Sequence, residues 1–152
     1  MKSFFSVLFI IGITFIVGLE ALKPEESAAE KKLLNECKNL AEATDDDVNL
    51  LLERKVPEDY KGKCLLKCAY EKSGVILEGT FSIEKVKAFG TKLLEDNTKA
   101  LGIFNEMIVE CQTVADPDIC EQSAKFMDCM IKAGLERGID PKKGIKESIG
   151  SI

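Results

Sequence analysis

The side chains best placed to do chemistry in this chain are its six cysteines, Cys37, Cys64, Cys68, Cys111, Cys120 and Cys129. Thiol groups either bind a metal or pair as disulfides, and 26, 3, 42, 8 and 8 residues separate these six in turn. A four-cysteine zinc site favours a Cys-x-x-Cys spacing, and the chain has no histidine to complete a mixed site. The pattern therefore predicts three disulfides of a secreted domain and no metal.

The absence of histidine also removes the common catalytic arrangements. Neither a Ser-His-Asp triad nor a Cys-His pair can form, and the sequence has no phosphate-binding glycine loop and no dinucleotide fingerprint. The acidic run Asp45-Asp46-Asp47 lacks the alternating spacing and the glycine of a calcium-binding loop, so we interpret it as a solvated helix start. The sequence thus predicts a protein that is not an enzyme and that uses no cofactor.

Residues 1–21 have the layout of a secretory signal peptide. Lys2 precedes a long apolar run that closes on small residues as far as Ala21. A membrane anchor is the alternative, but the polar residues that follow favour cleavage, and no second stretch is long enough to span a bilayer. We expect residues 1–21 to be removed and residues 22–152 to form a single secreted, extracellular domain.

The charge balance of the chain is acidic. The formal net charge is −5, and the sequence has no basic stripe. Without such a stripe, the chain has no electrostatic footprint for nucleic acid or for anionic membranes. We therefore expect no nucleic-acid partner and no stable membrane association.

Apolar residues recur at three- and four-residue steps along nearly the whole chain, which indicates an all-α fold. The short run Val75-Ile76-Leu77 is interpreted as an apolar loop, because Gly79 cuts it short. After Asp140-Pro141 the tail is either a seventh, shorter helix or a frayed terminus. The pattern predicts a compact bundle of six helices. The first spans Glu26–Ala43, the second is capped by Thr44 and ends at Leu52, and the third carries Cys64 and Cys68 and stops near Ser73. The fourth is capped by Ser82, the fifth spans Asn97–Cys111, and the sixth runs from Asp116-Pro117 to Arg137.

Helix geometry limits how the cysteines can pair. Cys64 and Cys68 project in parallel from one face of a helix, so a direct bridge between them would be strained. Cys120 and Cys129 lie on opposite faces, about 13.5 Å apart along the axis, whereas a disulfide requires Cα atoms within about 7 Å. Six cysteines can pair in fifteen ways, and each excluded bridge occurs in three of them. One pairing contains both excluded bridges, so ten pairings are left.

The sixth helix, which carries Cys120 and Cys129, has a wide apolar arc. This width predicts a central position with neighbours on two sides.

The cysteine spacing resembles that of the insect odorant-binding protein family. The gaps of three and eight residues carry most of the resemblance, and the other gaps, the signal peptide and the helix order agree with it. The resemblance implies a carrier that encloses one small apolar molecule, such as an odorant, a pheromone or a fatty acid derivative, in an apolar cavity. It also implies three interlocked disulfides, Cys37–Cys68, Cys64–Cys120 and Cys111–Cys129.

A helix-lined pocket of this kind would be built from apolar side chains, with a few polar groups that orient the ligand. Each apolar candidate could equally be plain core packing. Tyr60, Tyr70 and Thr91 could each supply a hydroxyl group, and the sequence does not choose among them. The candidate lining residues are Val75, Ile76, Leu77, Phe81, Phe89, Leu93, Phe104, Met107, Ile108, Phe126, Met127 and Met130.

Two other roles stay open from the sequence. The same fold could carry lipids, amines or hormones outside olfaction, or the chain could be a secreted helical interaction protein of the saposin kind. A membrane chemoreceptor is expected only as an indirect partner, and the protein is expected to be a monomer or a weak homodimer. Because histidine is absent, we also expect any pH-driven release to be weak or to depend on carboxylates near the tail: Glu136, Asp140 and Glu147.

Overall fold

Helices dominate the molecule, as the sequence predicts. The computed structural model describes residues 24–150, without the side chains of 24–27, 146 and 147. The predicted signal peptide, residues 1–21, lies outside the described residues. In chain order the elements are α1 (Pro24–Ala41), α2 (Asp45–Leu52), α3 (Tyr60–Lys72), β1 (Ile76–Leu77), β2 (Thr80–Phe81), α4 (Ile83–Leu94), α5 (Thr98–Cys111), α6 (Ile119–Glu136) and α7 (Gly144–Gly150).

The helix starts follow local capping chemistry. Thr44 accepts a hydrogen bond from the backbone N–H of Asp47, whose carboxylate in turn accepts from the Thr44 N–H at 2.8 Å. This reciprocal pair is the capping box expected at the start of α2. Ser82 and Asn97 cap α4 and α5, and the side-chain oxygen of each accepts one backbone N–H. The caps predicted at Thr44 and Ser82 are confirmed.

Two predicted starts lie too early in the chain. Helix α6 begins only at Ile119, because Asp118 is its N-cap and accepts from the N–H groups of Cys120 and Glu121. Asp116, the predicted cap, instead accepts from the Asp118 N–H in the preceding turn. Asp140 likewise starts a turn, and α7 begins four residues later at Gly144. An Asp-Pro pair marks a turn here rather than the first helical residue.

The predicted apolar loop at residues 75–77 is wrong in part, because a short hairpin forms there. Strand β1 pairs with β2 in antiparallel register, with Ile76 opposite Phe81. Glu78 and Gly79 form the two-residue turn, and both have positive φ, 50° and 75°. A turn with two such residues matches the twist of a hairpin, so Gly79 closes the hairpin instead of ending the strand.

Helix α6 is central, as its wide apolar arc predicts. It packs against α3 on one side and α5 on another, and it also contacts β2. Helix α3 packs in turn against α1. The tail is a helix, α7, which packs on α5 and buries Ile145 in the core. The core therefore lies between the α3–α6 pair, the hairpin and helices α4 and α5.

Candidate ligand-binding site

Three disulfides tie together the helices that surround the core. Cys37–Cys68 joins α1 to α3, Cys64–Cys120 joins α3 to α6, and Cys111–Cys129 joins α5 to α6, with Cα–Cα distances of 5.7, 4.7 and 5.8 Å. These are the pairs that the family resemblance implies. Helices α3 and α6 are each clamped to two different elements, so the covalent frame holds the central pair in place.

Polar contacts reinforce the α3–α6 pair beside its disulfide. The Tyr60 hydroxyl donates to Asp118 Oδ2 at 2.7 Å, and Lys63 Nζ lies 3.1 Å from both carboxylate oxygens of Glu121. The hydrogen bond from Tyr60 lowers the pKa of Asp118, and the same bond raises the pKa of Tyr60. Tyr60 is more than half exposed, and its hydroxyl is hydrogen-bonded to Asp118. It therefore stabilises the contact between α3 and α6 at the surface and is not part of the core.

An aromatic cluster lies where the hairpin meets α3 and α6. The Tyr70 and Phe81 rings meet edge to face with centroids 5.7 Å apart, and the Phe81 and Phe126 centroids are 4.7 Å apart. Phe81 thus bridges the two disulfide-linked helices. Aromatic pairs at such centroid distances contribute about 0.5–1.5 kcal/mol beyond the area they bury, so this cluster helps to hold the hairpin against both helices.

The structure brings nearly all of the predicted lining residues into one buried cluster. Phe81 and Leu93 are partly buried and pack against it. Leu77 is the exception, since 48% of it is exposed. Side chains alternate across a strand, so when Ile76 faces the core its neighbour Leu77 faces away. The buried members are Val75, Ile76, Phe89, Phe104, Met107, Ile108, Phe126, Met127 and Met130.

Of the three hydroxyl groups proposed for ligand contact, the structure places only that of Tyr70 in the core. Thr91 is exposed on α4, and Tyr60 is bonded to Asp118 at the surface. Tyr70 is fully buried, and within residues 24–150 its hydroxyl has no hydrogen-bond partner. Burial raises the pKa of the Tyr70 hydroxyl far above its usual range, so the group stays protonated.

A separate groove of about 590 Å³ lies on the surface, between α5 and the end of α6. Arg137 lines it and pairs with Glu106 at 3.3 Å and with Glu110 at 2.9 Å. Asn105 and the exposed Val109 complete its lining. None of these five residues belongs to the buried cluster, so the groove is distinct from the candidate site.

The described part of the chain holds no group of His, Cys, Asp or Glu side chains that could bind a metal ion. All six cysteines are in disulfides. In residues 24–150 no helix combines the length and the apolar character needed to cross a membrane. Of the carboxylates considered near the tail, Glu136 is exposed and Asp140 partly buried, whereas the Glu147 side chain lies outside the described part.

Comparisons with known proteins agree with this architecture. General odorant-binding protein 19d of Drosophila melanogaster is 30% identical over 146 residues, and the match covers 89% of this chain and 93% of the relative. The solved structure of odorant-binding protein dmelOBP28a from Drosophila melanogaster has the same fold, with a TM-score of 0.64 at 22% identity over 76% of this chain and 99% of that chain. The model of the PBP/GOBP family matches residues 20–133, and this chain belongs to that family.

Proposed function

We propose that this protein is a secreted carrier that binds and solubilises a small hydrophobic ligand, an odorant, a pheromone or a fatty acid derivative, in an internal pocket. The family is one of small-ligand carriers, and the relative with 30% identity is a general odorant-binding protein. The carrier would act in chemosensory fluid and would reach a membrane receptor only indirectly.

The observation that carries this proposal is the buried apolar cluster inside the disulfide frame. Its wall combines the Phe81 and Phe126 rings with the flexible side chains of Met107, Met127 and Met130. Methionine adapts its shape to irregular apolar partners, and an apolar site gains affinity from the area that the ligand buries. A frame with three crosslinks supports such a site because it keeps the helices from closing over it.

Displacement of a fluorescent apolar probe from the oxidised chain, residues 22–152, tests the proposal. An external probe is needed because the chain has no tryptophan. We expect saturable one-to-one binding of the probe and its displacement by volatile alcohols, aldehydes or fatty esters. Absence of saturable binding in a sample with three verified disulfides would remove the carrier function and leave the fold unchanged.

The hairpin supplies a matched pair of variants. Phe81→Leu removes a ring that bridges α3 and α6, and we expect it to weaken probe binding roughly threefold to tenfold. Leu77→Ala shortens an exposed side chain on the same hairpin, and we expect it to leave probe affinity unchanged. An equal loss in both variants would indicate that the hairpin acts through stability and not as a wall of the site.

A further inference from the structure

The Tyr70 hydroxyl is an exception among the buried polar groups. Among the side chains that the structure describes, it is the one buried polar atom without a hydrogen-bond partner. Leaving a buried hydroxyl group unpaired is unfavourable, so such a group in a native core calls for an explanation. The other buried polar side chains are all paired: Glu30, Asp47, Ser73, Ser123 and Ser148.

Tyr70 belongs to the buried apolar cluster, and no described group is hydrogen-bonded to its hydroxyl. Its ring is edge-on to Phe81, which packs on Phe126. The Tyr70 carbonyl is already satisfied, because it accepts from Ser73 Oγ at 2.9 Å and from the Val75 N–H at 3.0 Å. The hydroxyl is therefore a lone donor within the cluster that contains the predicted lining residues.

The positions of the charged side chains indicate which kind of ligand oxygen could accept a hydrogen bond from the Tyr70 hydroxyl. None of the described Lys or Arg side chains belongs to a fully buried residue, and Arg54, with 10% of its side chain exposed, is bonded to Glu30. A ligand carboxylate placed in this core would thus lack a fully buried cationic partner, and burying an unpaired ion is far more unfavourable than burying a neutral oxygen. A carbonyl, ester, ether or alcohol oxygen meets the Tyr70 donor without that penalty.

We propose that the ligand is a neutral apolar molecule with one oxygen acceptor, which accepts a hydrogen bond from the Tyr70 hydroxyl beside Phe81 and Phe126. This inference rests on the proposed carrier function and narrows it to neutral oxygenated ligands, as opposed to fatty acid anions. Tyr70 orients the ligand, and the aromatic and methionine side chains provide the apolar contact.

The first test compares three ligands on the unmodified oxidised chain by displacement of the apolar probe. A ketone, an alkane and a carboxylate of equal chain length differ only at the group that would meet Tyr70. We expect the ketone to bind roughly fivefold to thirtyfold more tightly than the alkane, and the carboxylate to bind more weakly than the ketone at neutral pH. Tighter binding of the carboxylate would overturn the inference.

The second test uses Tyr70→Phe, with Tyr60→Phe as its matched control. Each variant removes one hydroxyl group, but that of Tyr60 is bonded to Asp118 at the surface. We expect Tyr70→Phe to lose roughly fivefold to thirtyfold in affinity for the ketone and nothing for the alkane or the probe. Tyr60→Phe should leave all three affinities unchanged.

The stability of the ligand-free variants gives an independent readout. Because the Tyr70 hydroxyl has no partner in the described structure, Tyr70→Phe should melt at the same temperature as the parent or slightly higher. A lower melting temperature together with unchanged ketone affinity would show that the hydroxyl is bonded internally, and would overturn the inference. If the parent chain still binds the probe, that outcome would leave the carrier function standing. If the parent chain does not bind the probe at all, both the carrier function and this inference would be removed.

Discussion

The ring of Phe104 on α5 occupies the space in which a side chain at Gly90 on α4 would stand. A Cβ atom built on Gly90 would collide with the Cδ1, Cε1 and Cζ atoms of that ring. Phe104 is fully buried, so the ring cannot turn outward to make room. The glycine therefore sets how closely α4 and α5 approach, and with it the position of a predicted wall of the ligand site.

We expect Gly90→Ala to destabilise the protein by about 1–3 kcal/mol, because the overpacked Phe104 ring must shift within a dense core. Gly102→Ala on α5 is the matched control, since nothing lies within 4 Å of a Cβ there. Alanine is the better helix former, so the control should be stabilised by up to about 1 kcal/mol. Guanidinium unfolding measures both changes, and a stabilised Gly90→Ala variant would contradict the close contact.

The most buried ion pair among the described side chains joins α1 to the turn that follows α2. Arg54 Nη1 lies 2.7 Å from Glu30 Oε1, and only 10% and 2% of the two side chains are exposed. Removing one partner leaves the other charge buried without compensation. We expect Arg54→Met alone to lose about 3–5 kcal/mol of unfolding free energy, whereas Arg54→Met combined with Glu30→Leu should lose much less.

A double-mutant cycle by urea unfolding measures this coupling. Lys61 and Glu42 form the control pair, because 59% and 79% of their side chains are exposed. Their coupling should stay below about 1 kcal/mol and should fall with added salt. Additive losses at Glu30 and Arg54 would mean that the two charges are solvated independently.

The acid sensitivity of the fold should come from aspartates at helix starts and in the turn before α6. The backbone N–H of Gly62 lowers the pKa of Asp59, Tyr60 lowers that of Asp118, and Lys125 lowers that of Asp116. A carboxylate with a lowered pKa in the folded state stabilises the fold above its unfolded pKa, and that contribution is lost as pH falls through the folded value. We therefore expect nearly constant stability from about pH 7 to about pH 5 and a decline below about pH 4.

Urea midpoints measured across this range check the prediction. Asp118→Asn keeps a good N-cap side chain but cannot titrate, so its midpoint should fall less steeply in acid than that of the parent. A large loss of stability between about pH 7 and about pH 5 would instead require a carboxylate with a raised pKa.

The helical architecture could be predicted from the sequence because its signals are local. Periodicity gives the helices, and Thr44 and Ser82 mark two of their starts through single side-chain oxygens. The sequence does not predict the hairpin, because the turn places Glu78, which is not glycine, at a positive φ. The residue type gives no sign of that conformation, which follows from the pairing of Ile76 with Phe81.

The candidate site was only partly predictable, because burial is decided by contacts between distant segments. Tyr70 lies four residues after the buried Leu66, so the helical spacing of α3 could have favoured it over Tyr60 and Thr91. Its missing partner, by contrast, depends on every chain segment packed around it. Hydrophobicity alone places Leu77 among the candidate lining residues, whereas strand alternation turns it outward.

The C-terminal tail lies outside the covalent frame that the three disulfides form. All three disulfides fall between Cys37 and Cys129, and α7 is held by the fully buried Ile145 and by the hydrogen bond from the Asp140 N–H to Ser148 Oγ at 3.0 Å. Because no crosslink holds α7, it can open while α3 and α6 stay in place. We expect Ile145→Ala to cost about 2–5 kcal/mol of local stability.

Hydrogen exchange resolves this change by segment. Amides of α7 should exchange roughly thirtyfold faster or more in Ile145→Ala, the factor that corresponds to about 2 kcal/mol, while amides of α3 keep their protection. Ile149→Ala is the control, because that side chain is partly exposed and should change exchange much less. Equal acceleration in α3 and α7 would show that the tail unfolds only with the whole domain, and that the packing of Ile145 couples it to the disulfide-linked core.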